Sequence, residues 1–205
     1  METEVKFKVH NRGALVRVLK NANARLISCE HEQDFYFDDR RRTLRKKVVV
    51  LRIRKIGEKG ILTVKSKFKR VSRRFKVMNE REVATDNFTE LKAILAMLGY
   101  RVDGFKEKRR CTYRLGKVNI LIDRLPFLGN WMELEGRTRD ITKVAGRLKL
   151  AMGDSCSKSY GQLFAQFRRE HEDRLKPFAK RVDIFSFDCE KRSGLGALIH
   201  DPHQT

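Results

Sequence analysis

The stretch Glu2-Thr3-Glu4-Val5-Lys6-Phe7-Lys8-Val9 decides the fold class. Its even positions are all charged and its odd positions are apolar or threonine, the period-two pattern of a β-strand with one face turned from water. Glu2, Glu4 and Lys6 therefore share a face. Working outward, the rule repeats: Arg52 with Arg54, Lys65 with Lys67, Arg74 and Lys76 with Glu80 and Glu82, Lys108 with Arg110, and Glu133 with Glu135. Val5, Phe7, Ile53, Val64, Phe75, Val77, Val83 and Leu134 fall between them. Solvated faces normally intersperse both signs. Here acids and bases segregate by strand, which suggests two opposed charge sets pointing into one lumen.

Between these strands the spacing predicts four helices. Asn11 caps one running to about Arg25, and Asp86 caps another carrying Phe88, Leu91, Ile94, Leu95 and Leu98 up to Gly99. A third runs from about Asp140 to Met152 and a fourth from Tyr160 to about Leu175. The remaining strands are predicted at 35–38, 48–55, 61–68, 75–84, 105–115, 118–123 and 131–135, with Gly57 to Gly60 and Gly116 as hairpin turns. The expectation is an α+β protein: a closed antiparallel eight-stranded β-barrel, forming a tunnel, with helices packed outside. Residues 1–175 make one domain, and 176–205 a C-terminal extension with a partly disordered tail.

Composition bounds the partners. The chain has 205 residues, with 47 Lys+Arg against 26 Asp+Glu, for a formal charge of +21. Hydrophobic residues at 40% exclude a disordered polycation, and the length suits one sizeable core. Arg40 to Arg81 holds 18 basic residues and only Glu58 and Glu80 as acids, so polyanionic partners are expected, nucleic acid among them through the basic surface. No apolar run approaches a bilayer span and the N-terminus lacks a signal-peptide core, so no membrane insertion is expected. Cys29, Cys111, Cys156 and Cys189 lie far apart without a CxxC pair, which reads as four free thiols in a reducing cytoplasm. The scattered histidines lack zinc spacing, and Gly57 to Gly60 lacks the phosphate-loop spacing.

Clustered carboxylates without His or Cys suit Mg²⁺ or Mn²⁺. Lys and Arg arrayed nearby hold phosphate oxygens, arginine in a bidentate fork. The guest these residues predict is a linear triphosphate with its metal.

Glu2-x-Glu4-x-Lys6 resembles the ExExK signature of the CYTH superfamily, the triphosphate tunnel metalloenzymes. Further similar motifs follow in the family's order: Gln33 to Asp38, Leu51-Arg52-Ile53-Arg54, Leu62-Thr63-Val64-Lys65, Lys108 to Tyr113, Ile120 to Asp123, Leu128-Gly129, Glu133 to Gly136 and Ser159-Tyr160-Gly161-Gln162-Leu163. The resemblance implies Glu2, Glu4, Asp123, Glu133 and Glu135 as holders of Mg²⁺ or Mn²⁺. It implies Lys6, Arg52, Arg54, Lys65, Lys67, Lys76, Lys108 and Arg110 as phosphate-binding residues. Glu2, Glu4, Lys6 and Tyr36 become the catalytic candidates, Tyr36 for orienting or deprotonating the attacking water. Glu80 and Glu82 sit where the family has further inward carboxylates.

The resemblance implies hydrolysis of a triphosphate or polyphosphate substrate. A class IV-type adenylate cyclase is the alternative, and a non-catalytic polyphosphate- or RNA-binding protein the second. A homodimer is left open, because the outer strand faces and the segment after 176 could bury helices or a partner copy equally well.

Overall fold

The computed structural model describes residues 2–67, 76–178 and 185–193. The chain is α+β, with eight antiparallel strands and seven α-helices among the described residues. In chain order these are β1 (Glu2–Val9), α1 (Arg12–Asn21), β2 (Arg25–Asp38), α2 (Thr43–Lys46), β3 (Val49–Ile56), β4 (Lys59–Lys67), β5 (Lys76–Thr85), α3 (Phe88–Met97), β6 (Arg101–Leu115), β7 (Val118–Leu125), β8 (Gly129–Glu135), α4 (Thr138–Arg147), α5 (Tyr160–Glu170), α6 (Glu172–Leu175) and α7 (Phe187–Ser193). Strand neighbours run β1-β5-β4-β3-β2-β6-β7-β8, and β8 pairs in turn with β1 from Glu4↔Glu135 to Val9↔Asn130. Among the described residues β1 pairs with β5 from Glu2↔Met78 to Glu4↔Lys76. Beyond it β1 is met by the chain after α4, where the Cys156 N–H donates to the Lys6 carbonyl.

The alternation in β1 explains how the layers form. Val5, Phe7 and Val9 face outward and bury against Leu19 of α1 and Ile141, Val144 and Ala145 of α4. Each apolar side chain removed from water contributes roughly 1.5–3 kcal/mol. This forces Glu4 and Lys6 to the inner face, where both are buried. A second apolar cluster joins Phe37, Leu51 and Ile53 to Leu95 of α3.

Several boundaries differ from the sequence reading. β2 begins at Arg25 rather than Phe35, because Arg25 to Gln33 carries polar residues on both faces and gains its order from ladder pairing to β6. Asn87 rather than Asp86 caps α3, its side chain accepting from the Glu90 N–H at 2.9 Å. The expected last helix breaks at His171 into α5 and α6. The short α2 and the α7 beyond Pro177 were not anticipated. Phe185, Cys189 and Leu175 join Leu125, Phe127 and Trp131 in a third cluster, so the described part of the C-terminal segment packs on the sheet. The expected tail from 194 onward lies outside the described residues.

The expectation of four free thiols is corrected. Cys29 and Cys111 form a disulfide, while Cys156 and Cys189 stay outside any disulfide. The two half-cystines are 82 positions apart in sequence but are register partners on β2 and β6, a proximity only strand pairing creates.

Candidate active site

Most of the inner-face cations are met by carboxylates. Lys6 Nζ stands between Glu4 at 3.2 Å and Glu133 at 3.3 Å. Arg110 grips Asp123 through both oxygens at 2.6 Å and reaches Glu133 at 2.7 Å. Lys108 lies 3.2 Å from Glu32 and 3.5 Å from Asp123. Arg54 holds Asp34 at 2.8 Å and Glu32 at 3.1 Å, and Arg52 lies 3.5 Å from Asp34 and 3.4 Å from Glu82. Lys65 meets Glu80 at 2.7 Å. The two signs interleave strand by strand, so they neutralise one another directly.

Burial sets the charge states. Burial alone would raise the Asp34 carboxyl, but Arg54 and Arg52 overturn it and hold the group well below the usual carboxylate range. Glu32 is lowered against its burial by Lys108, Arg110 and Arg54. Glu133 is lowered by Arg110, Lys6 and Lys108 against burial and the nearby Glu4. Burial opposes the charge on Lys6, yet Glu133 and Glu4 raise its pKa above the ordinary lysine value. Isolated buried ions cost several kcal/mol each, so these groups stay charged only as a network.

One carboxylate group suits a metal. Oxygens of Glu4, Glu133 and Glu135 lie within 4.8 Å of one another, with no His or Cys in the set. That donor chemistry fits a hard divalent cation such as Mg²⁺ or Mn²⁺. Asp123 lies beside this trio but commits both oxygens to Arg110. The side chains of Glu2, Lys67 and Lys76 lie outside the described residues. The inner face also fits a phosphate: the buried Arg52 Nε–H has no acceptor, and phosphate oxygens would supply one.

Tyr36 shares the inner face of β2 with Asp34, its hydroxyl 3.5 Å from an Asp34 oxygen and its ring 4.4 Å below Lys106 Nζ. Tyr160, the first residue of α5, brings its ring against β1 and β6, 5.3 Å from Lys6 Nζ and 5.9 Å from Lys108 Nζ. Ser159 and Gln162 form a reciprocal capping box that fixes this helix start. The Tyr160 hydroxyl is buried without a hydrogen bond, and burial raises its pKa well above the usual tyrosine value. Glu32, Asp34, Thr63, Lys106 and Tyr160 were not among the residues assigned from sequence. Period two carried back through Glu32 from Asp34 and Tyr36 would have found the first.

This arrangement defines a class: helices outside, and an eight-stranded antiparallel sheet whose inner face is an ion-paired array. The chain belongs to the CYTH domain family, whose model matches residues 1–154. CYTH proteins are typically enzymes and generally depend on a divalent metal. Among curated proteins it is similar to MJ0240 of Methanocaldococcus jannaschii, named a candidate adenylate cyclase, at 28% identity over 70% of this chain and 81% of that one. Among solved structures it is similar to PH1012 of Pyrococcus horikoshii OT3, with TM-score 0.66 and 28% identity over 78% of this chain and 97% of that one. It also resembles HpAC1 of Hippeastrum, a candidate adenylyl cyclase described as revealing a dominant triphosphatase activity, with TM-score 0.64 and 19% identity over 81% and 96% of the two chains. No helix among the described residues is long and apolar enough to cross a membrane.

Proposed function

We propose that the strands enclose a closed tunnel in which a triphosphate, inorganic or organic, is bound and hydrolysed with a divalent metal. The observation that carries this reading is the joint placement of the Glu4–Glu133–Glu135 oxygen trio and the cations Lys6, Arg52, Arg54, Lys65, Lys108 and Arg110 on one buried face. Glu4, Glu133 and Glu135 would hold Mg²⁺ or Mn²⁺, which when bound supplies charge neutralisation of the phosphates and acidification of a water. Arg52, Arg54, Lys65, Lys108 and Arg110 exchange their carboxylate partners in part for phosphate oxygens. Phosphoryl transfer needs such positioning and charge stabilisation more than covalent chemistry. Water attacks the terminal phosphorus, the bond to the bridging oxygen breaks, and orthophosphate and a diphosphate leave. Tyr36, beside Asp34, would orient that water.

A second reading, adenylate cyclisation, is favoured by one observation. MJ0240, 28% identical over 70% of this chain, is named a candidate adenylate cyclase.

The test is incubation with Mg²⁺ or Mn²⁺ and, separately, tripolyphosphate, thiamine triphosphate and ATP, with products resolved by phosphorus NMR and Glu4→Gln run alongside. Orthophosphate that depends on metal and vanishes in the variant supports hydrolysis. Pyrophosphate with cyclic AMP from ATP would replace it with the cyclase, and no metal-dependent turnover would refute both.

A further inference from the structure

The charge surplus of +21 is not accounted for by the inner face. There Glu4, Glu32, Asp34, Glu80, Glu82, Asp123, Glu133 and Glu135 stand among Lys6, Arg52, Arg54, Lys65, Lys108 and Arg110, so the described lumen carries no net positive charge. Among the described residues the positive surplus therefore lies off the inner face. Its densest described part is the β2–β3 connection, Arg40-Arg41-Arg42-Thr43-Leu44-Arg45-Lys46-Lys47, whose six basic side chains are all exposed.

The acids around this turn are used to build it. Asp38, itself buried, accepts from the Leu44 N–H at 3.0 Å and the Arg45 N–H at 2.9 Å. Asp39 accepts from the Thr43 N–H at 2.9 Å, and Asp103 pairs with Arg42 at 3.1 Å. No ion pair holds Arg40, Arg45, Lys46 or Lys47 among the described residues. Arg101, the register partner of Asp38, is exposed beside them. The result is a pinned turn with outward cations, standing where β3 begins and β4 ends (Val49↔Ser66). Natural surfaces normally mix the two signs, so a concentration of one sign needs an occupant or a repulsive cost.

We propose that this turn binds the phosphodiester backbone of a single-stranded nucleic acid, outside the lumen and independently of any reaction there. The six exposed cations are spread from Arg40 to Lys47, before, within and after the one-turn α2, and none is a buried donor, so a polymer of phosphates suits them better than one phosphate ion. No exposed aromatic ring lies in the turn, so recognition is of backbone charge and carries no sequence preference. Among the described residues Val48 is the one exposed large apolar side chain in this connection, too little to enter a bilayer.

The test is fluorescence anisotropy with a 20-nucleotide oligouridylate bearing a 5′-hydroxyl, titrated at several salt concentrations without divalent metal. Duplex DNA and phosphatidylserine vesicles form parallel arms. Contacts from five cations give a log–log salt slope of about −3.5 for a single strand. Replacing Arg40, Arg41, Arg45, Lys46 and Lys47 by Gln should cut affinity at least tenfold at 50 mM salt and flatten the slope, while Arg40→Lys, Arg41→Lys and Arg45→Lys together should retain both. The lumen variant Arg54→Met should bind RNA as the parent does, so this proposal and the proposed reaction fail separately. Unchanged affinity and slope in the five-site variant, or loss in Arg54→Met instead, would overturn it. Tighter binding to duplex or vesicles than to the oligonucleotide would overturn the assignment to single strands.

Discussion

Asp34→Asn tests whether the inner face is a desolvated network or a wet cleft. The substitution keeps size and shape but removes the charge that faces Arg54 at 2.8 Å and 3.2 Å and Arg52 at 3.5 Å, from a carboxylate only 9% exposed. Removing one partner of a buried pair strands the other charge, at a cost of about 3–5 kcal/mol. With a urea slope of about 2–3 kcal/mol per M, the unfolding midpoint should fall by roughly 1–2.5 M at pH 7. The sign with pH follows from the lowered Asp34 pKa. The folded protein binds that proton more weakly than the unfolded chain, so the contribution is whole above the ordinary carboxylate range of about 4 and is lost as pH falls below it. The gap between parent and variant should therefore close on acidification. Tripolyphosphate should narrow it at pH 7 by giving Arg52 and Arg54 a new counter-charge. A difference below about 1 kcal/mol at pH 7, typical of screened pairs, would refute the reasoning.

Lys6→Met removes the ammonium between Glu4 and Glu133; thermal melts should show a loss of about 3–5 kcal/mol that millimolar Mg²⁺ or Mn²⁺ largely restores and EDTA brings back. If metal leaves the melt unchanged, the trio is not a cation site. Tyr160→Phe should change stability by less than about 1 kcal/mol, or raise it, because the buried hydroxyl makes no hydrogen bond, whereas Tyr160→Ala should cost about 3–5 kcal/mol. Denaturant curves for the two variants separate those outcomes. Glu190→Ala strands the Phe127 N–H and the Arg124 guanidinium, so hydrogen exchange across 185–193 should quicken by roughly tenfold or more while the β7–β8 ladder stays protected. Uniform exchange in parent and variant would show that Glu190 does not anchor the segment.

How much was legible depends on how far each signal reaches along the chain. β1, β3, β4, β7 and β8 alternate charge with apolar residues, so their existence and their inner faces follow from period two. β2 before Phe35 and β6 before Phe105 do not alternate; they are strands because they pair with each other from Arg25↔Arg114 to Asp38↔Arg101. That unread part of β2 holds Glu32, whereas Asp34 stands within the Gln33 to Asp38 motif but carries no assigned role there. The Cys29–Cys111 bridge escaped the sequence reading, since register is a property of two strands. Tyr160 stands in a family motif, but only the packing of the start of α5 against β1 and β6 shows that its ring meets the inner face.

By itself the sequence determined the strand-borne charged faces, the order of the family motifs, the hard-oxygen character of the acidic residues and the large positive surplus. These are set by local alternation and composition. Tertiary structure decided how those charges are spent. Pairing the strands edge to edge brings opposite signs within 2.6–3.5 Å on the inner face, so the acids and bases there offset one another. The Arg40 to Lys47 turn stays uncompensated because its nearby acids are committed to its backbone and to Arg42. Charge neutralisation acts over a few ångströms in space, whereas sequence fixes only separation along the chain.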